Sequence, residues 1–244
     1  MVAFSRRSHG KTFTIAAEVA GDLGSEYISR ELLREASNRL GIPQEKWEHA
    51  LHRGHSVFDL LTGRRDRYLA YVQCALLEGA QRDDVVYVVP AAHFMLDGIA
   101  HVLKVGILSG RRDKAHGVLA PRHFGHENSE LRPYHLLIDL RKGSEKELVE
   151  RICRMVALPR FQATPESQAS MNDLVLASRI RAELLAVLPC IVVKAYRGMV
   201  EVDAEVPLIQ EGVMAEKCRA VAAKYPEVKD IRLRILTESI HGLG

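Results

Sequence analysis

Val85-Val86-Tyr87-Val88-Val89 is a continuous apolar, largely β-branched run that follows the charged turn Arg82-Asp83-Asp84 and stops at Pro90. A strand that is apolar at every position has no face to give to water. That suits a central strand of a parallel sheet covered by helices on both sides. Residues 101–108 and 134–140 are similar runs.

The segments between these runs read as helices. In 14–23 the residues Ile15, Val19 and Leu23 recur every four positions, one face of a helix that Gly24 closes. Ser29 is an N-cap signal for 31–40, with Gly41 just past its end and Pro43 beyond. Residues 43–52 and 56–61 read as short helices. Tyr68, Tyr71, Val72, Ala75, Leu76 and Gly79 make 67–79 an amphipathic helix, and 145–158 a helix returning over the sheet. Strands alternating with helices predict an α/β domain with a Rossmann-like, three-layer parallel sheet.

The texture changes after residue 160. Pro165 and polar neighbours mark 161–171 as a linker. Beyond it, 173–188 is helical, 191–196 and 199–206 flank the hairpin signal Arg197-Gly198, 208–224 is a second helix, and 228–236 alternates as a strand. The expected organisation is therefore an α/β domain over 1–160 and a small αββαβ domain over 172–240.

Bulk properties narrow the function. A formal charge of +3 is too small to imply DNA or RNA as a partner, and no apolar run is long enough to cross a bilayer. The chain opens Met1-Val-Ala-Phe-Ser-Arg-Arg without a signal-peptide pattern, which gives the cytoplasm as the expected location. Cys74, Cys153, Cys190 and Cys218 lie far apart in apolar surroundings and read as reduced core thiols. His116, His123 and His126 share one segment but have no cysteine or carboxylate at ligand spacing, so no metal site is expected there.

The candidate for chemistry is Ser5-x-x-x-x-Gly10-Lys11-Thr12, between an apolar start and a helix. At such a turn the backbone N–H groups of residues such as Ser8, His9 and Gly10 can cradle a phosphate. A lysine then reaches the β- and γ-phosphates, and a Ser or Thr hydroxyl meets Mg²⁺. The first glycine of the phosphate-loop pattern is replaced by Ser5, so the turn taken alone favours a basic N-terminal turn over a nucleotide cradle.

Several segments together resemble the cytidylate-kinase-like family of nucleoside monophosphate kinases. They are Tyr27-Ile-Ser-Arg-Glu-Leu-Leu33, Leu61-Thr-Gly-Arg-Arg-Asp-Arg-Tyr-Leu-Ala-Tyr71, Val85-Val-Tyr87, His93 and Gly98-Ile-Ala-His-Val-Leu-Lys-Val105. Phe161-Gln-Ala-Thr-Pro-Glu-Ser-Gln168 resembles the junction of relatives with a further module, and the C-terminal pattern around Gly198 and Val228-Lys-Asp-Ile231 is similar to a BON domain.

The resemblance implies a P-loop NTPase fold, ATP and Mg²⁺ as cofactors, and phosphate transfer to CMP or dCMP. It implies Ser8, His9, Gly10, Lys11 and Thr12 at the phosphates, with Thr12 also on Mg²⁺. Arg30 and Arg67 are placed at the monophosphate, and Arg111 or Arg112 with Lys11 at the transferred group. The BON-like module implies a protein or small-ligand partner.

The chain departs from the family in three places. Aligned without a gap from Ser29-Arg30, the cradle's first glycine falls on Arg7, and a two-residue shift is needed to recover Gly10-Lys11. A histidine-rich run after the second family strand is reduced to His93, with Asp97 the nearest carboxylate. The segment 109–133 is short for an arginine-bearing lid. A binding or regulatory protein on a degenerate kinase scaffold is the alternative these departures support.

Overall fold

The computed structural model describes residues 1–5, 10–29, 64–89, 92–108, 134–188, 191–204 and 211–236. The expected helices at 31–40, 43–52 and 56–61 lie outside the described residues. The chain divides into two compact units. The first comprises Met1–Gly54 and Ala75–Met171, and the second His55–Cys74 and Asn172–Gly244.

The first unit is a parallel sheet with helices packed on it. Its elements are β1 (Val2–Ser5), α1 (Gly10–Leu23), β2 (Glu26–Ile28), the later part of α2 (Arg64–Ala80), β3 (Val85–Val88), α3 (Ala92–Met95), β4 (Leu103–Leu108), β5 (Leu136–Asp139) and α4 (Glu145–Val156). Strand order is β2-β3-β1-β4-β5, and every neighbouring pair is parallel. The expected α/β class is therefore observed. All four residues of β3 are buried, as their uniform apolarity requires. The strand at 26–28 has no counterpart in the sequence reading, because a three-residue edge strand carries too little pattern to be seen.

Alternation sorts the sheet into two faces. Val2, Phe4, Val86, Val88, Leu103, Val105, Leu136 and Ile138 form one core with Ile15, Ala16, Val19 and Ala20 of α1 and Leu148, Val149, Ile152 and Val156 of α4. This packing fixes α1 against α4, so the beginnings of both helices are held by a shared apolar layer. Helix α4 starts where Ser144 caps it. The Ser144 Oγ accepts from the Glu147 N–H at 3.3 Å, and Glu147 Oε2 accepts from the Ser144 N–H at 2.8 Å. The short α3 packs against β1 and β4.

The second unit has one three-stranded sheet of β6 (Ile191–Tyr196), β7 (Met199–Ala204) and β8 (Asp230–Ile235), with α6 (Glu211–Ala222) before the last strand. β6 and β7 are antiparallel, and β7 pairs with β8 in parallel. The turn residues Arg197 and Gly198 both have positive φ, 50° and 84°, the combination that a two-residue hairpin with native twist needs. A side chain at Gly198 would place its Cβ 2.5 Å from the Glu227 carbonyl oxygen.

The expected linker is not all loop. Helix α5 (Pro165–Leu184) begins inside it. Proline has no N–H to lose in a first helical turn and its φ is already helical, so Pro165 opens the helix instead of breaking one. Thr164 and Ser167 hold that start through Thr164 N–H to Ser167 Oγ at 2.9 Å and Ser167 N–H to Thr164 Oγ1 at 3.1 Å. Among the described residues no helix is long and apolar enough to cross a membrane.

Candidate phosphate-binding site

In an open parallel sheet, ligands collect beyond the carboxyl ends of the strands, where successive connections leave on opposite sides. β1 is that point here, between β3 and β4. Its strand ends at Ser5, and α1 begins at Gly10. Of the expected cradle residues, Ser8 and His9 lie outside the described residues. Gly10, Lys11 and Thr12 form the opening of α1. The first N–H groups of a helix lack intrahelical acceptors and carry the positive end of its dipole, so the location suits an anion.

Thr12 is fully buried, and among the described residues its Oγ1 has no hydrogen-bond partner. An unsatisfied buried hydroxyl costs about 1–3 kcal/mol, so this one is a polar atom available to a ligand. Lys11 is 63% exposed, and its Nζ lies 3.0 Å from Glu145 Oε1 in the first turn of α4. The first turn of α1 contains no acidic residue, so this carboxylate is supplied from another helix. The sequence reading did not include Glu145, and no local signal marks it, because the pairing is made by the shared core of α1 and α4.

The other strand ends carry less. β3 runs out in Val88 and Val89, so its described end offers no carboxylate for a metal-bound water. Asp97 is engaged elsewhere: its Oδ1 accepts from the Lys104 Nζ at 2.7 Å. At the end of β5, Asp139 is gripped by Arg141 through two bonds of 2.8 and 2.6 Å, and that guanidinium holds its carboxyl well below the usual range. Among the described residues no three metal-ligating side chains gather.

Behind the strand ends, on the sheet face away from α1, lies a polar group of residues. Lys104 is buried on β4, its N–H donates to His135 Nδ1 at 3.1 Å, and its carbonyl accepts from the His135 N–H at 2.9 Å. His93 is fully buried against Tyr134, with ring centroids 4.5 Å apart. Burial, and then the charge of Lys104, push the His93 imidazole down to about 3, so it is neutral at physiological pH. The Tyr134 ring lies beside Gly106, which is level with Ser5 in the sheet register. The sequence reading marked His93 but not Lys104 or Tyr134. A lysine inside the apolar run 101–108 was the available signal.

Arg67 is half-buried on α2, in the part of that helix assigned to the second unit. Arg30, Arg111 and Arg112 lie outside the described residues.

Comparison with known proteins bears on this arrangement. The cytidylate kinase-like family profile matches residues 1–134. The chain belongs to the cytidylate kinase-like family. The family match covers β1, α1, β3, β4 and the approach to β5, and it stops before His135 and Glu145. Among solved structures, an uncharacterized protein from Eubacterium ventriosum ATCC 27560 is similar at 14% identity, over 64% of this chain and 96% of that one, with a TM-score of 0.38. No curated protein matches.

Proposed function

We propose that this cytidylate kinase-like chain binds ATP at the β1–α1 turn and transfers its terminal phosphate to CMP or dCMP. The observation that carries the reading is Gly10-Lys11-Thr12 opening a helix at the switch point of a β2-β3-β1-β4-β5 parallel sheet. Lys11 takes the β- and γ-phosphates, and the backbone from Ser8 to Thr12 lines the cradle. The Thr12 hydroxyl, buried and without a hydrogen-bond partner among the described residues, would hold Mg²⁺. When bound, Mg²⁺ neutralises charge on the phosphates. Arg30 and Arg67 serve the acceptor's phosphate, and Arg111 and Arg112 the group in transfer. These substrates go with a cytoplasmic location.

A second reading, nucleotide binding without turnover, is favoured by one feature. β3 ends in Val88-Val89, with Asp97 committed to Lys104. The small C-terminal domain over 172–240 fits a BON-like binding module for a protein or small ligand, supported by its helix-strand-strand-helix-strand order and the Arg197-Gly198 hairpin.

ADP release from ATP and Mg²⁺ with each nucleoside monophosphate tests the kinase reading. It requires turnover with CMP or dCMP that falls by about 10²-fold or more in Lys11→Ala, the scale of losing one charge stabiliser. No ADP above that variant, with ATP binding retained, selects binding without turnover.

A further inference from the structure

We infer that Glu145 is an internal stand-in for the phosphate anion. Its carboxylate pairs with Lys11, and an incoming phosphate must displace it. The inference rests on the proposed nucleotide site and adds a regulatory contact to it.

Four observations lead there. Lys11 sits in the first turn of α1, where a cation faces the positive end of the helix dipole, and that turn has no acidic residue of its own. A countercharge on α4, Glu145, lies 3.0 Å from the Lys11 Nζ. Glu145 is free to serve because the start of α4 is already satisfied by Ser144 and Glu147, which bond each other's N–H groups. The shared apolar core of Ile15, Val19, Leu148 and Ile152 holds the two helix starts together, so packing brings the two side chains within reach of each other.

A phosphate bound on the Lys11 ammonium would bring its negative charge against the Glu145 carboxylate. The two anions compete for one cation, and the ion pair must open before the ligand is fully engaged. Both side chains are exposed, at 63% and 39%, which sets the scale of the effect. An exposed pair of this kind contributes little, so its removal is expected to tighten nucleotide binding by about two- to fivefold. The contact therefore tunes affinity without closing the site.

The test combines a binding cycle with a chemical probe of the contact in the full-length protein. Calorimetric titration with ATP and Mg²⁺ is expected to give tighter binding for Glu145→Gln than for wild type. That gain should vanish when Glu145→Gln is made in a Lys11→Ala background. Carbodiimide coupling, read by peptide mass spectrometry, should join Lys11 to Glu145 in the nucleotide-free protein and be suppressed by saturating ATP. A gain that persists without Lys11 means general charge repulsion and overturns the inference, as does a crosslink that ATP leaves unchanged or that never forms. ATP binding with no gain in Glu145→Gln overturns the inference alone. Absence of ATP binding in every variant overturns the nucleotide reading and the inference with it. Glu145→Gln leaves Ser144 and Glu147 in place, and a thermal midpoint close to wild type confirms that α4 is intact.

Discussion

The two faces of the parallel sheet obey different rules. Toward α1 and α4, every inward strand residue is aliphatic or aromatic, from Val2 and Phe4 through Val105 to Ile138. Toward α3, the inward residues include Tyr87, Lys104 and Gly106, joined by His93 and Tyr134. The first face is non-directional burial, roughly proportional to area, and it holds the frame. The second depends on individual polar partners such as Asp97 on Lys104 at 2.7 Å. The lesson is that one face is purely apolar, whereas the other mixes polar groups with buried apolar residues such as Ala3, Val85 and Tyr87. The other can tolerate chemistry, provided its charges stay paired or its rings stay neutral.

Substitutions can break this contrast. On the apolar face, Phe4→Ala leaves a cavity beneath α1 and is expected to lower stability by about 3–5 kcal/mol in denaturant unfolding. A loss below about 1 kcal/mol would show that this face does not carry the frame.

On the polar face the largest effect is expected from pH. His93 has an ordinary value of 6.5, and burial lowers it to about 3 in the folded chain. Below the ordinary value the unfolded chain takes up a proton that the folded chain refuses. Its contribution to stability is therefore intact above that value and is lost as pH falls toward 3. The slope from this group reaches at most about 1.4 kcal/mol per pH unit. His93→Gln should flatten stability against pH across that window, and an unchanged slope would mean that His93 is protonated or solvated in the fold.

Lys104→Met is expected to have the smallest effect, within about 1 kcal/mol. A buried charge gives way to an apolar chain of similar length, and Asp97 is about half exposed, so its carboxylate is not left buried. The same change should raise the His93 value by removing the neighbouring positive charge. A loss as large as that of Phe4→Ala would erase the distinction between the faces.

What the sequence shows and what it hides follow the same division. The apolar runs that become β3, β4 and β5, the four-residue period of Ile15, Val19 and Leu23, and the Arg197-Gly198 turn are local patterns, and the structure has an element at each. Helix α1 extends back to Gly10, and β4 begins later, at Leu103. Two local signals misled or were too faint: Pro165 marks a helix start where a break was read, and Glu26–Ile28 is too short to register. The site was legible only as Gly10-Lys11-Thr12. Glu145 meets Lys11, and Tyr134 meets His93, through sheet register and helix packing between segments distant in the chain. No single window of sequence contains such a pair.

The central claim is that the start of α1 holds nucleotide phosphate through Lys11. Calorimetric titration of the full chain with ATP and Mg²⁺, beside Lys11→Ala, tests it most directly. The account predicts saturable one-site binding by the wild-type chain that weakens by at least about tenfold in the variant, the scale of losing a charge-assisted bond. Equal binding by the two proteins, or none by either, would contradict it.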